Sequence, residues 1–573
     1  MNNVHPAAVL LVLTVIAGFA VACSGDSGGP RIECGSGEGP ITLGPRVGAV
    51  TETSAKIWVR ACDAFDVNVQ YRPVDETAWD EADSSAVATD LDRDGVAVVE
   101  LTGLSADTDY AYRMTVDGQP DDSLGGSFET MLPASQPGRM TFIFGADSRP
   151  EGLRVVYDAM AAANADFALF IGDQIYVDPQ LPPDEPHFDA SGKEDYEAVY
   201  RTAWEEPTLR KFMADTPTMM MWDDHEILND WDGQDESPFP WALAAYDEYQ
   251  HSANPASFRP GVLYYVIRAG PAELFVLDER SYRSANNQRD NQLKTMLGRE
   301  QKADLKLWLL NSTATFKFIV SPVMWSDHAK HTEEAWISFR TERNEILDYV
   351  RDHRVPGVVL LSGDEHWTGV FHLPPWELYE LGPTPFAGFA GPAVDAVSPD
   401  IFFKLGQATV FGSVAIDSTA CPAAVTLSVI DSFGQERFEL PLNEGDLIQP
   451  SMPAGDYCAA REAGELDSDS DGCTDAMEVG DDEALGGRRD PQYHWDFYDV
   501  NGDRQVDSRD AIAVADILGA QIGSGQYDPA LDRSDPAEGA EQWSAGPPDG
   551  IVDDTDFFLV TAQVGHSCAR TSQ

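Results

Sequence analysis

Four short stretches of the chain concentrate residue types that hold metal ions: Asp147; Gly172 and Asp173 with Tyr176; the run Trp222, Asp223, Asp224, His225, Glu226; and Gly363, Asp364 with His366. Carboxylates, imidazoles and a phenol together suit hard or borderline cations. One carboxylate, such as that of Asp173, can give an oxygen to each of two ions roughly 3.5–4 Å apart, as in two-metal hydrolysis. An Asp at the end of any one strand is ordinary turn chemistry. The recurrence of metal-ligand residue types in four such stretches, in order, is what points to a site.

Each stretch follows an apolar run. Residues 140–146 lead into Asp147, 166–171 into Gly172, 218–222 into Asp223, and 357–361 into Ser362 and Gly363. Such runs alternate with amphipathic segments, including a helix over about 153–163, and predict an α/β layered domain over 139–404. Ligands of such sheets gather outside the carboxyl ends of the strands, so the four groups can share one crevice. Before this domain, 40–133 reads as short strands (55–60, 67–71, 95–101, 110–116) between Asp/Gly/Pro turns, a small β-sandwich with no assigned chemistry. After it, 405–460 returns to short strands (408–416, 424–430, 436–442) and predicts a small β-module packed on the catalytic domain.

The chain has 573 residues, which at roughly 150 residues per domain implies several domains. With 38 Lys+Arg against 97 Asp+Glu, a net charge of −59, phosphate neutralisation has no electrostatic basis and nucleic-acid duplex binding is excluded. Hydrophobic residues at 43% and charged residues at 24% predict a largely folded chain.

Residues 1–22 have the shape of an export signal, and 23–39 form a Gly/Ser-rich tether. Ala20, Val21, Ala22, Cys23 resemble a bacterial lipoprotein box, with Cys23 as the lipidated residue, although no Lys or Arg precedes the apolar run. Cleavage after Ala22 without lipidation is the alternative. The seven cysteines become six if Cys23 is acylated. Domain logic suggests Cys34 with Cys62, Cys421 with Cys458 and Cys473 with Cys568 among fifteen possible connectivities. The expected location is extracytoplasmic, lipid-anchored to the bacterial envelope or secreted.

The order Asp147, GDxxY, WDDHE, GDxH comes with YRTAWEEPTLRKFMADTPTMMMWDDHEILNDW, AELFVLDERSYR, KTMLGREQ and EEAWISFRTERNEILDYV. Over about residues 40–440 it resembles the calcineurin-like metallophosphoesterases, and specifically the alkaline phosphatase D (PhoD-like) family. GPRVGAVTETSAKIWVR resembles that family's fibronectin-like N-terminal module. The resemblance implies that Asp147, Asp173, Tyr176, Asp224, Asp364 and His366 are metal ligands of a dinuclear or multinuclear centre. Tyr176 would suit ferric iron, with calcium or another divalent metal beside it. His225 would protonate the leaving group. Arg149 stands where the wider superfamily has a histidine ligand, and would hold substrate phosphate instead. Asp147 stands where PhoD-like sequences often have cysteine. Asn229 and Asp230 are candidate further ligands, and His328 and His331 candidates for an additional histidine ligand. The implied reaction is metal-assisted hydrolysis of a phosphate ester, a phosphodiester or monoester, by activated water. Neither a GxSxG elbow nor a Walker A loop is present. The competing class is a surface interaction protein on a decayed phosphatase scaffold, for which the substitution at Asp147 is the best argument.

Residues 461–573 hold 7 Lys/Arg and 26 Asp/Glu, which suits a cation-binding tail or an acidic solvated surface. Spacing favours the first. Asp467, Asp469, Asp471, Gly472, Asp475 and Glu478 match positions 1, 3, 5, 6, 9 and 12 of a calcium loop. Asp499, Asn501, Asp503, Asp507 and Asp510 match 1, 3, 5, 9 and 12, with Arg504 in the glycine position and a helix over about 511–518. A third stretch keeps Asp549, Asp553 and Asp556, with Asp532 or Asp535 as a substitute across an insertion. The second loop resembles a dockerin half-repeat, which implies structural calcium and a protein partner for the tail. A calcium-stiffened stalk is the plainer alternative.

Overall fold

The computed structural model describes residues 39–81, 86–134, 136–149, 155–177, 190–234, 238–448, 450–536 and 544–568. The export signal, Cys23 and Cys34 lie outside the described residues.

The central domain is built from two mixed sheets. The first runs in the order Thr218–Met221, Phe167–Ile171, Arg139–Gly145, Val410–Asp417, Ala424–Asp431, Glu436–Asn443. Its first three strands are parallel, and Val410–Asp417 joins Arg139–Gly145 antiparallel. The second runs Tyr265–Ala269, Ala272–Val276, Phe316–Val320, Val358–Leu361, Leu378–Gly382, Thr368–Leu373, Ile401–Leu405, with its middle strands parallel.

Side chains alternate along these strands, and the two faces enter different cores. Phe142, Phe144, Leu169 and Met221 of the first sheet share one apolar cluster with Leu274, Phe318, Val359 and Leu361 of the second. Ile143, Phe170 and Met220 face the other way, among residues of the helices Val155–Ala162, Lys193–Trp204, Pro207–Asp215 and Phe239–Tyr249. Phe275, Ile319 and Leu360 likewise face the helices Gly298–Asn311 and Arg340–Asp352. The result is a helix, sheet, sheet, helix stack in which the parallel strands Phe167–Ile171, Thr218–Met221, Phe316–Val320 and Val358–Leu361 are buried throughout, which explains why they read as continuous apolar runs rather than alternating ones.

The module expected at 405–460 is corrected. Its three long strands are hydrogen-bonded into the first sheet through the pairing of Val410–Asp417 with Arg139–Gly145. Strand alternation shows that a segment pairs, but not with which distant edge.

Residues 41–129 form two antiparallel sheets. They are tied firmly to the central domain. Trp58 packs on Trp204 and Tyr249 at ring distances of 5.1 and 5.6 Å, and its Nε1 donates to the Glu248 carbonyl at 2.8 Å. The buried Arg46 donates to the Gln250 carbonyl at 3.1 Å. In the tail, Cys473 is bonded to Cys568, and before it Cys421 to Cys458. Among the described residues no helix is long and apolar enough to cross a membrane.

Candidate metal centre

The four predicted stretches meet at one rim, where the parallel strands of both sheets end. Asp147, Asp173, Asp364 and His366 have φ of 63°, 56°, 68° and 54°. This left-handed region costs an L residue on the order of 1–3 kcal/mol and is tolerated best by Asn, Asp and His. Each chain therefore turns sharply on leaving its strand, and aims a carboxylate or imidazole into the crevice.

Two glycines allow the loops to approach. Gly172 has φ +100°, and a Cβ there would stand 2.6 Å from that of Asp223. A Cβ on Gly363 would lie 2.7 Å from the Pro322 carbonyl oxygen and 2.9 Å from the Ala146 Cβ. The glycines of GDxxY and GDxH thus serve packing between strand ends.

Ligand atoms of Asp147, Asp173 and His366 lie within 4.8 Å of one another, as do those of Asp173, Asp224 and His225, and those of Asp173, Asp223, Asp224 and Asp364. Asp173 belongs to all three groups, the position a bridging carboxylate needs. The Tyr176 hydroxyl lies 3.4 Å from Asp173 Oδ2, and its ring packs on His225 at 4.2 Å. Arg149 places its guanidinium carbon 4.3 Å from the Tyr176 ring centre. Asp230 donates its backbone N–H to Asp224 Oδ2 at 2.5 Å and forms a further group with Asp224 and Glu334. His331 Nδ1 lies 3.6 Å from Asp364 Oδ2 and groups with Asp364 and Glu334. His328 instead pairs with Asp400 at 3.1 Å, which takes it out of the candidate ligand set.

The electrostatics call for cations. Burial, and then repulsion from Asp224 and Asp223, hold the Asp173 carboxyl well above its ordinary pKa. Burial raises Asp223 to about 7 despite its ion pair with Arg280. Burial would raise Asp364 too, but the His331 imidazole 3.6 Å away outweighs it and holds it at about 2. His331 is raised reciprocally to about 10. Asp173 Oδ1, Asp224 Oδ1 and Asp364 Oδ2 are buried without a hydrogen-bond partner. Buried carboxylate oxygens left over in this way cost several kcal/mol unless a cation takes them. The residues present therefore fit a metal centre.

Several working residues were not singled out from the sequence. Asp223 and Glu226 stood within the WDDHE run, and Arg280 within AELFVLDERSYR. The Arg280 guanidinium is fully buried, paired with Asp223, 3.0 Å from Glu334 and 3.6 Å from Asp224. Glu226 accepts the backbone N–H groups of Asp173, Gln174 and Asp223 at 3.0, 2.6 and 2.8 Å.

In the tail, Asp499 accepts the N–H groups of Gly502 and Asp503 at 2.9 and 3.3 Å. Asp510 accepts those of Val500 and Asp507 at 3.1 and 2.7 Å, and the Asn501 amide at 2.7 Å. Asp503 pairs with Arg509 at 2.5 Å. The third loop repeats the pattern. Asp556 accepts from Arg533 and Asp553, and Asp532 accepts from Asp549 and Gly550 at 3.0 and 2.8 Å. Asp532, rather than Asp535, thus stands across the insertion where Asp499 stands in the second loop.

The two mixed sheets end in a buried cluster of carboxylates and imidazoles that could hold metal ions. Residues 141–419 match the PhoD-like phosphatase family, and residues 38–123 match a domain of unknown function, DUF7800. Alkaline phosphatase D of Bacillus subtilis (strain 168) is 26% identical over 393 residues, covering 58% of this chain and 66% of that protein; the match thus spans just under two-thirds of the relative's length. A solved structure of PhoD superposes with a TM-score of 0.59 at 20% identity, covering 70% of this chain and 92% of that one. A purple acid phosphatase from yellow lupin (Lupinus luteus) seeds gives 0.53 at 12%, covering 70% and 74%. At these identities the structural likeness is one of fold. Together the comparisons show that the central domain is similar to PhoD-like phosphatases in sequence and in fold.

Proposed function

We propose that the chain is an extracytoplasmic, metal-dependent hydrolase of phosphate esters, of the phosphodiesterase or alkaline phosphatase D type. The observation that carries this reading is the convergence of Asp147, Asp173, Asp224, Asp364, His225 and His366 around buried carboxylate oxygens without donors. Asp147, Asp173, Tyr176, Asp224, Asp364 and His366 would hold a dinuclear or larger centre. Ferric iron suits the phenolate of Tyr176, and calcium or another divalent ion suits the carboxylates. When bound, the ions would supply an activated water and neutralise charge on the phosphoryl oxygens.

The chain's own residues do the rest. Arg149, beside Tyr176, is placed to bind non-bridging phosphate oxygens. His225, whose Nε2 lies 3.9 Å from Asp173 Oδ2, protonates the leaving oxygen. Arg280 counters the Asp223, Asp224 and Glu334 carboxylates from below. The same acidity that excludes polyanions from the bare cleft makes metal loading a precondition for an anionic substrate.

The Cys421–Cys458 and Cys473–Cys568 bonds support an oxidising compartment; lipid anchoring at Cys23 or secretion would provide it. The acidic loops support a calcium-binding, dockerin-like tail that docks a protein partner. The deciding experiment is hydrolysis of bis(p-nitrophenyl) phosphate by metal-replete protein beside Asp173→Asn. Metal-dependent turnover that the substitution abolishes is expected; turnover indifferent to it would overturn the assignment.

A further inference from the structure

In the first tail loop the structure departs from the sequence pattern at position 9. Both Asp475 oxygens are spent within the loop: they accept the Ser468 N–H at 2.9 Å and the Ser468 hydroxyl at 2.8 Å. Asp467, Asp469, Asp471 and Glu478 remain as the loop's carboxylates, and Asp496, from outside the loop, is brought to it by His494, two residues earlier, whose Nδ1 meets the Asp469 carbonyl at 2.9 Å. Glu478 is fully buried, and both its oxygens lack a hydrogen-bond partner. Asp467 Oδ1, Asp469 Oδ2, Asp471 Oδ2 and Asp496 Oδ1 are buried in the same unpartnered state. The second oxygens of four of these groups are spent on backbone: Asp467 accepts from Gly472 at 3.1 Å, Asp469 from Asp471 at 3.2 Å, Asp471 from Cys473 at 2.7 Å, and Asp496 from Asp490 at 3.0 Å. Each of these carboxylates is therefore fixed by one oxygen while the other is left over.

Arg489 is the cation beside the cluster, 4.0 Å from Asp496 Oδ1. Its N–H groups go to the carbonyls of Asp496, Glu483 and Gly487, to Gln563 and to His566. Arg504 also acts on Asp467 and Arg533 on Asp496, and three guanidinium groups do not balance five carboxylates. The second and third loops show nothing comparable: among the described residues, none of their Asp oxygens is buried without a partner.

We propose that Asp467, Asp469, Asp471, Glu478 and Asp496 form a site for a hard divalent cation, calcium by donor set, in which Asp496 takes the part that Asp475 has in the sequence pattern. The inference rests on the reading of the tail as calcium-binding and adds a ligand that the loop itself does not contain. Oxygen donors alone, with a flexible carboxylate able to bind through both oxygens at Glu478, suit calcium over transition metals.

The added ligand links the site to the rest of the molecule. His494 meets the Asp469 carbonyl through Nδ1 at 2.9 Å. Trp495 is buried in the core that includes Trp308 and Leu347 of the central domain, and donates Nε1 to Asn311. Asp496 follows at once. Three consecutive residues thus bind the loop, enter the central domain and complete the cage, so cation binding fixes the segment that seats the tail.

The test uses the full chain, stripped with chelator and titrated with calcium by calorimetry, beside Glu478→Gln, Asp496→Asn and Asp475→Asn. None of these touches the active-site cluster, so a change in stoichiometry reports the tail. Glu478→Gln and Asp496→Asn should each remove one bound calcium or weaken it at least tenfold, while Asp475→Asn stays within threefold of wild type. An unchanged count in Glu478→Gln would sink the tail reading altogether. Retention in Asp496→Asn, or loss in Asp475→Asn, would overturn the added ligand alone. Thermal unfolding in chelator guards against a misfolded variant: Asp496→Asn relieves repulsion in the empty cage and should melt at or above wild type there, and below it in calcium.

Discussion

The Glu226 carboxylate accepts the Asp173 N–H at 3.0 Å and, with the same oxygen, the Asp223 N–H at 2.8 Å. One buried side chain thereby sets the spacing between the loops that follow two neighbouring strands. Its other oxygen accepts from Gln174 at 2.6 Å and from the Gln250 amide at 3.3 Å. Gln250 in turn receives Arg46 of the N-terminal sheets on its carbonyl. The N-terminal sheets are thus joined through two residues to the loops of the candidate metal centre.

Glu226→Gln should therefore damage the centre without removing a ligand. The amide nitrogen cannot accept, so at least one backbone N–H loses its partner. Substitutions that disturb ligand orientation in this way typically cost 10–100-fold in metal affinity or activity. The expected outcome is a loss of that size in kcat/KM for a p-nitrophenyl phosphodiester, recovered in part at high metal concentration. A rate and metal content equal to wild type would remove Glu226 from the positioning role.

His331 and Asp364 should behave as a unit. Their 3.6 Å approach makes His331 either a ligand itself or the group that aims Asp364. His331→Ala should lose metal at least tenfold faster to a chelator, and Asp364→Asn with His331→Ala should be far less than additive, since residues in contact fail additivity. Independent effects in that double-mutant cycle would break the pairing.

Much of this candidate site was legible because its residues sit in short motifs directly after apolar runs, two of the motifs opening with glycine. The burial of both sheets made the strands easy to place. What the sequence withheld were long-range partners. Glu226 accepts from a loop more than fifty residues upstream, Arg280 reaches Asp223 and Glu334 from a third strand end, and Asp496 meets a loop begun at Asp467. None of these relations has a spacing, because the fold alone creates them. The same holds for the strands from Val410 to Asn443: their alternation was visible, but their membership of the first sheet depends on an edge offered by Arg139–Gly145.

Gly363→Ala tests the packing of the strand ends. A Cβ would sit 2.7 Å from the Pro322 carbonyl oxygen, 2.9 Å from Ala146 Cβ and 3.2 Å from the Ile171 carbonyl oxygen, and two of the three are backbone atoms that cannot swing aside. Overpacking of this kind costs about 1–3 kcal/mol. The unfolding midpoint should drop, and activity should drop further than stability because Asp364 is the next residue. A variant with unchanged melting and turnover would show that the rim is plastic.

Glu380 provides a pH test away from the ligands. It is fully buried, accepts the N–H groups of Trp325 and Ser326 at 2.8 and 2.9 Å and the Ser362 hydroxyl at 2.6 Å, and burial raises it to about 7 from 4.5. A carboxyl raised on folding holds its proton in the native state between those two values while the unfolded chain has lost it. Its contribution to stability is thus present below about pH 4.5 and is lost as pH rises through 7, by at most about 3 kcal/mol. Glu380→Gln has no such proton. Measured in chelator by thermal unfolding between pH 5 and 8, the variant should gain on wild type as pH rises, the difference flattening above 7. A difference that stays constant across this range would mean that Glu380 is ionised in the native state at pH 5, held so by its three donors in spite of burial.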